Sequence, residues 1–202
     1  AHYDQPVSPD LTIFRKLAER TPGVEIGDAT DAIVRLRAVK SANEVKMIQR
    51  AVDISALGYQ AVFQSVRPGQ SEFDVQETIE HAYRANGSRG PAYGSICGAG
   101  INSTVLHYAA NDAPIEDGDL ICIDSGASFG GYGADITRTI PANGKFTKRQ
   151  REIYDIVLEA LVRTTKMVKP GVRIADLDRT ARAIITKAGY GDAFIHGIGP
   201  VS

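Results

Sequence analysis

An excess of charge of either sign is missing from this chain: 23 Lys and Arg stand against 24 Asp and Glu, a net charge of −1. That balance gives no electrostatic pull toward nucleic acid or an anionic membrane, so neither is expected as a partner. Long hydrophobic runs are missing too. No stretch approaches the roughly 20 apolar residues a membrane span needs. The first ten residues, AHYDQPVSPD, hold neither the basic nor the apolar region of a signal peptide. Cysteine is scarce, with only Cys97 and Cys122, both inside apolar strand-like runs. Buried free thiols are the simplest reading of them and suit a reducing compartment, so a cytoplasmic location is expected. What remains is a chain of 202 residues, 43% hydrophobic, long enough for one sizeable core.

Residues 1–35 differ in character from the rest. Ile13 to Glu19 reads as a short helix, Thr21–Pro22–Gly23 as a turn and Val24–Glu25–Ile26 as a brief strand. Such a segment buries no core alone, so it is expected to be the tail of a preceding domain and a linker. The main domain is expected over 36–202. Ser41 and Glu44 have the spacing of a capping box, as do Thr147 and Gln150, and Ser71 to Asp74 opens another helix. Apolar residues then recur at helical spacing: Val45, Ile48 and Val52; Val75, Ile79 and Tyr83; Ile153, Ile156, Val157 and Leu161. Pro68–Gly69 and Pro170–Gly171 end the longer helices, and Gly87 and Gly189 lie just past the shorter ones. Pro91 to Cys97 and Val105 to Tyr108 read as strands.

The most informative stretch is Asp117 to Arg138, DGDLICIDSGASFGGYGADITR. An apolar strand ends in Asp124, a Gly-rich turn follows, and a second strand carries Asp135. A turn centred on Phe129–Gly130 would set the two acids directly opposite, with Cβ atoms roughly 5 Å apart. Carboxylates that close must share a proton or a cation, so the pair reads as half of a metal site. The alternative is two ordinary acids on a solvated hairpin, and a bulge in the turn would send them to opposite faces.

The two halves of the chain repeat. An offset of 102 pairs Asp53 with Asp155, Ile54 with Ile156, Pro68 with Pro170, Gly69 with Gly171 and Gly87 with Gly189. Each half therefore reads as helix, Pro-Gly, helix and then strands. On that reading the second half is expected to be incomplete, because its strands would fall past residue 202.

These residues resemble the pita-bread metallopeptidases, a family that includes aminopeptidase P, prolidase and methionine aminopeptidase. The resemblance rests on Val105–Tyr108, Asp119–Gly126, Asp135–Thr139, Asn143–Thr147, Arg151–Asp155 and His196–Gly199, and it is most similar to Xaa-Pro aminopeptidase. It implies the duplicated α/β (α+β) pita-bread fold, with its second half incomplete here. It further implies two divalent ions held by two Asp, one His and two Glu. The hard oxygen donors suit Mn²⁺, with Co²⁺ and Zn²⁺ as alternatives. Asp124 and Asp135 stand at the two Asp positions. His107 matches the family's active-site histidine, and His196 matches the first of two histidines four apart, the substrate contact. In methionine aminopeptidases a similar His-Gly-Ile-Gly begins with a metal ligand, so His196 has that second reading.

The metal histidine's own position is Pro200, and the two Glu ligands would lie past the last residue. The implied activity is hydrolysis of the bond between an N-terminal residue and proline, with a peptide carrying proline second as partner. The alternatives are a prolidase acting on Xaa-Pro dipeptides and a non-catalytic pita-bread binding module. The chain itself is expected to be incomplete and inactive, with impaired metal binding, and a homo-oligomer is left open.

Overall fold

The computed structural model describes residues 8–198, so Gly199 and Pro200 lie outside the described residues. The chain divides into two compact units, Ala1–Lys46 and Met47–Ser202. The first holds helices α1 (Pro9–Arg20) and α2 (Thr30–Ala38), neither with a buried residue. Ser8 caps α1, its hydroxyl accepting from the Leu11 N–H at 3.3 Å. The brief strand expected over Val24–Ile26 does not form, since a strand needs a ladder partner and none pairs there among the described residues. Helix α2 was not foreseen. The Asp28 carboxylate, accepting from the Thr30 N–H at 2.8 Å, marks its start.

The two predicted capping boxes form, Ser41 with Glu44 at the start of α3 (Ala42–Ser65) and Thr147 with Gln150 at α5 (Lys148–Met167). Ser71 and Asp74, expected only to open a helix, exchange bonds in the same way at α4 (Glu72–Ala85). Helix α6 covers Ile174–Lys187. The repeat survives in detail. At an offset of 102, α4 maps end for end onto α6, and α3 and α5 stop at matching residues. Gly69 and Gly171 have φ of 91° and 87°, and Gly87 and Gly189 have 95° and 89°. These are left-handed turns that favour glycine.

Strands β1 (Ile96–Ala99), β2 (Leu120–Asp124) and β5 (Thr137–Pro141) form an antiparallel sheet in the order β1-β2-β5. A small hairpin, β3 (Ser128–Phe129) and β4 (Tyr132–Gly133), sits between β2 and β5 in the chain. The alternation of β2 decides its faces. Ile121 and Ile123 are fully buried with Ile54, Val62, Ile79 and Tyr83 of α3 and α4. Each such side chain contributes about 1.5–3 kcal/mol. Leu120, Cys122 and Asp124 point the other way and are half-buried.

Two expected strands need correction. Pro91 makes only an isolated bridge to Ala127, and the ladder begins at Ile96. Val105–Tyr108 is no strand but a turn following a short 3-10 segment, Gly100–Thr104, and His107 there has φ 54°. In the second half, Ala160, Ala181 and Ile185 centre a smaller cluster between α5 and α6. Val157 and Leu161 are 53% and 50% exposed, whereas Ser55 and Tyr59, their counterparts beneath the first-half sheet, are 0% and 4% exposed.

Candidate metal centre

The hairpin turn sits one residue later than expected. Ser128 pairs with Gly133 and Phe129 with Tyr132, leaving Gly130 and Gly131 as the two turn residues. Their φ values, 59° and 85°, are those of a two-residue turn with both central residues left-handed, the kind whose twist suits a tight hairpin. The shift carries into the sheet: Asp124 lies opposite Thr137, not Asp135. The direct opposition expected from the sequence is therefore corrected. Asp135 is the diagonal neighbour of Asp124, two residues along, so the acids keep to one face.

Tyr93 brings them together. Its hydroxyl lies 2.5 Å from Asp124 Oδ1 and 3.2 Å from Asp135 Oδ1. Burial first, then the hydrogen bond donated to Asp124 and the charges of both acids, hold the phenol far above its usual range. It stays protonated and donates. Tyr93 was not singled out in the sequence, because its contacts cross 31 and 42 residues and no local spacing marks them.

Behind the acids, Tyr59 of α3 is buried with its hydroxyl 3.1 Å from the Ile123 carbonyl, 3.4 Å from that of Ser125 and 2.5 Å from that of Ile136. One phenol thus grips the backbone beside each acid. Gly126 closes the gap between the segments: a Cβ there would lie 1.9 Å from the Ala134 carbonyl oxygen. Ser125 is buried as well. Its hydroxyl meets Tyr83 at 3.1 Å and Ser95 at 2.9 Å, which fastens the end of β2 to α4.

His107 and His196 are both exposed, and neither side chain bonds another described residue through a hydrogen bond. Nothing in the geometry ties either of them to the acid pair. Among the described residues, no group of three or more His, Cys, Asp or Glu gathers as a cation site would. The chain therefore offers two hard carboxylate oxygens on an open sheet face, a donor type suited to a divalent ion.

The sheet that bears the acid pair, backed by helices repeated at an offset of 102, defines the class by its fold, the pita-bread fold. Residues 46–201 match the model of metallopeptidase family M24, and the chain belongs to that family. It is 41% identical over 179 residues to the Xaa-Pro aminopeptidase of Escherichia coli, covering 88% of this chain and 41% of that protein. It is 39% identical over 188 residues to the Xaa-Pro dipeptidase of Pyrococcus furiosus, covering 93% of this chain and 54% of that protein. The structure of proline aminopeptidase P II from Yersinia pestis superposes with a TM-score of 0.85 at 34% identity, over 92% of this chain and 45% of that one. The chain thus spans about half the length of the relatives it matches. No helix among the described residues is long and apolar enough to cross a membrane.

Proposed function

We propose that this chain contributes half of a metal-dependent peptidase site that cleaves the bond between an N-terminal residue and a following proline. Asp124 and Asp135 hold the divalent ions, with Mn²⁺ favoured by their hard carboxylate oxygens. Bound there, such ions supply Lewis acidity and an activated water. Tyr93 keeps the two carboxylates converging, while Tyr59 and the close approach at Gly126 fix the strands that bear them. His107 and His196 are the substrate contacts, imidazoles able to hydrogen-bond a carbonyl oxygen or hold a proton near the leaving nitrogen. Proline has no amide N–H, so recognition of its peptide must rest on ring shape and the flanking groups. A cytoplasmic location fits two free thiols, Cys97 and Cys122. The 39% identity to a Xaa-Pro dipeptidase supports a second reading, a dipeptide substrate.

The observation that carries the proposal is the convergence of Asp124 and Asp135 on one hydroxyl. With two carboxylates gathered there among the described residues, Mn²⁺ binding is expected to be weak and turnover of Xaa-Pro peptides absent. Titration of Mn²⁺ followed by its electron paramagnetic resonance should show binding that weakens at least about tenfold in both Asp124→Asn and Asp135→Asn. Binding unchanged in either variant would remove the site. Robust Mn²⁺-dependent turnover by the 202-residue chain would overturn the expectation of inactivity.

A further inference from the structure

Glu72 is a carboxylate at the first position of α4, where a charged side chain ordinarily meets water, yet it is 0% exposed. It has no cation partner among the described residues, and hydrogen-bond donors surround it. Oε1 accepts from the Ala99 N–H at 2.7 Å and the Asn102 side-chain amide at 3.0 Å. Oε2 accepts from the Tyr108 hydroxyl at 2.7 Å and the Ala113 N–H at 3.0 Å. Those four donors nearly fill a carboxylate's lone pairs. Burial works to raise the carboxyl's pKa, but the bonds from Ala99, Asn102, Tyr108 and Ala113 outweigh it and hold the group below its usual range.

The donors come from both sides of His107. Asn102 and Tyr108 bond each other at 3.0 Å as well as Glu72, so the neck of the 102–108 segment is knotted on one carboxylate. The returning chain is pinned by the Glu72 N–H to the Ala113 carbonyl at 2.9 Å. His107 sits at the loop's end in a left-handed backbone conformation, unfavourable for a residue with a Cβ, and its own side chain makes no hydrogen bond among the described residues that would hold it there. The conformation must be imposed by its flanks.

We propose that Glu72 is a positioning residue for His107: its buried carboxylate ties Asn102 to Tyr108 and so fixes where the imidazole is presented. The proposal rests on the reading of His107 as a substrate contact only for its functional meaning, since the knot itself is a matter of geometry. Glutamine at position 72 keeps the shape but has one acceptor oxygen. Its NH₂ must face either the Ala99 or the Ala113 N–H, and a backbone donor cannot turn round to accept.

The test compares the 202-residue chain with Glu72→Gln and Tyr108→Phe by amide hydrogen exchange and by the nuclear magnetic resonance signals of the His107 ring. Glu72→Gln should speed exchange at Ala99 or Ala113 about tenfold or more and shift or broaden the His107 signals, while Ile121 and Ile123 stay protected. Tyr108→Phe should move the His107 signals with Ile121 and Ile123 equally protected. That variant, which removes only the Tyr108 hydroxyl and with it the bonds to Glu72 and Asn102, carries the test if Glu72→Gln fails to fold. Unchanged His107 signals in Tyr108→Phe would overturn the proposal, as would unchanged signals in a folded Glu72→Gln. None of these readouts needs metal or peptide. Failure of the peptidase reading would instead appear as His107→Ala leaving peptide affinity unaltered, with the knot intact.

Discussion

Gly126→Ala tests whether the close approach of two strands, and not merely their acids, makes the candidate site. The added methyl would lie 1.9 Å from the Ala134 oxygen, 2.4 Å from its carbonyl carbon and 3.0 Å from the Asp135 nitrogen. Ordinary contact begins near 3.4 Å, so the strands must part by roughly 1.5 Å, and the obstruction is backbone that cannot swing aside. Two flanking bonds hold them together, the Ser125 N–H to Ile136 at 3.1 Å and the Ala134 N–H to Ala127 at 3.0 Å. Straining both costs about 0.5–1.5 kcal/mol each, and overpacking adds about 1–3 kcal/mol. The sum, about 2–6 kcal/mol, is a large share of the roughly 5–15 kcal/mol that keeps a domain folded. Urea unfolding should show a loss in that range, and Mn²⁺ binding should weaken as Asp135 moves away from Asp124. Gly131→Ala is the control: open space surrounds its Cβ, and only the left-handed φ of 85° is strained, costing about 1–2 kcal/mol. Gly126→Ala unfolding within about 0.5 kcal/mol of the parent chain would refute the reasoning.

Tyr59→Phe leaves the carbonyls beside both acids without their shared buried donor, and should cost about 1–3 kcal/mol in urea unfolding. Acid should destabilise the chain partly through Glu72. Its folded pKa lies below the unfolded one, so the stability it contributes is complete above the unfolded value and fades as pH falls through the folded one. The acid limb of the melting temperature should flatten in Glu72→Gln. Alkali should act through Cys97 and Tyr83. Burial foremost raises the thiol from 9.0 to about 12 and the phenol from 10.0 to about 12. The stability of their buried neutral forms is complete below the unfolded values and is lost as pH rises toward 12. Cys97→Ala should lessen the fall in urea midpoint between about pH 9 and 11.

The helices were legible because their signals are local. A capping residue and the carboxylate or amide three positions on meet within one turn, and Pro-Gly ends a helix without reference to the rest of the chain. The offset of 102 was legible for the same reason, and the structure extends it to matching helix ends and matching left-handed glycines. The strands were less so. Val105–Tyr108 has strand-like composition, but Glu72, far away in sequence, draws Tyr108 into a turn and leaves His107 left-handed. Helix α2 carries no capping box, and its start is marked by one bond from the Thr30 N–H to the Asp28 carboxylate.

The sequence by itself determined that Asp124 and Asp135 flank a Gly-rich hairpin, and that they share a face under any register two residues apart. The register itself follows from a local preference: both left-handed turn residues are glycine at Gly130–Gly131, a condition that Phe129–Gly130 does not meet. Only the tertiary structure, by contrast, could bring Tyr93 between the acids, Tyr59 behind them and Glu72 beneath the His107 loop. Each of those contacts spans at least 27 residues, a distance over which residue spacing carries no information and packing alone selects the partner.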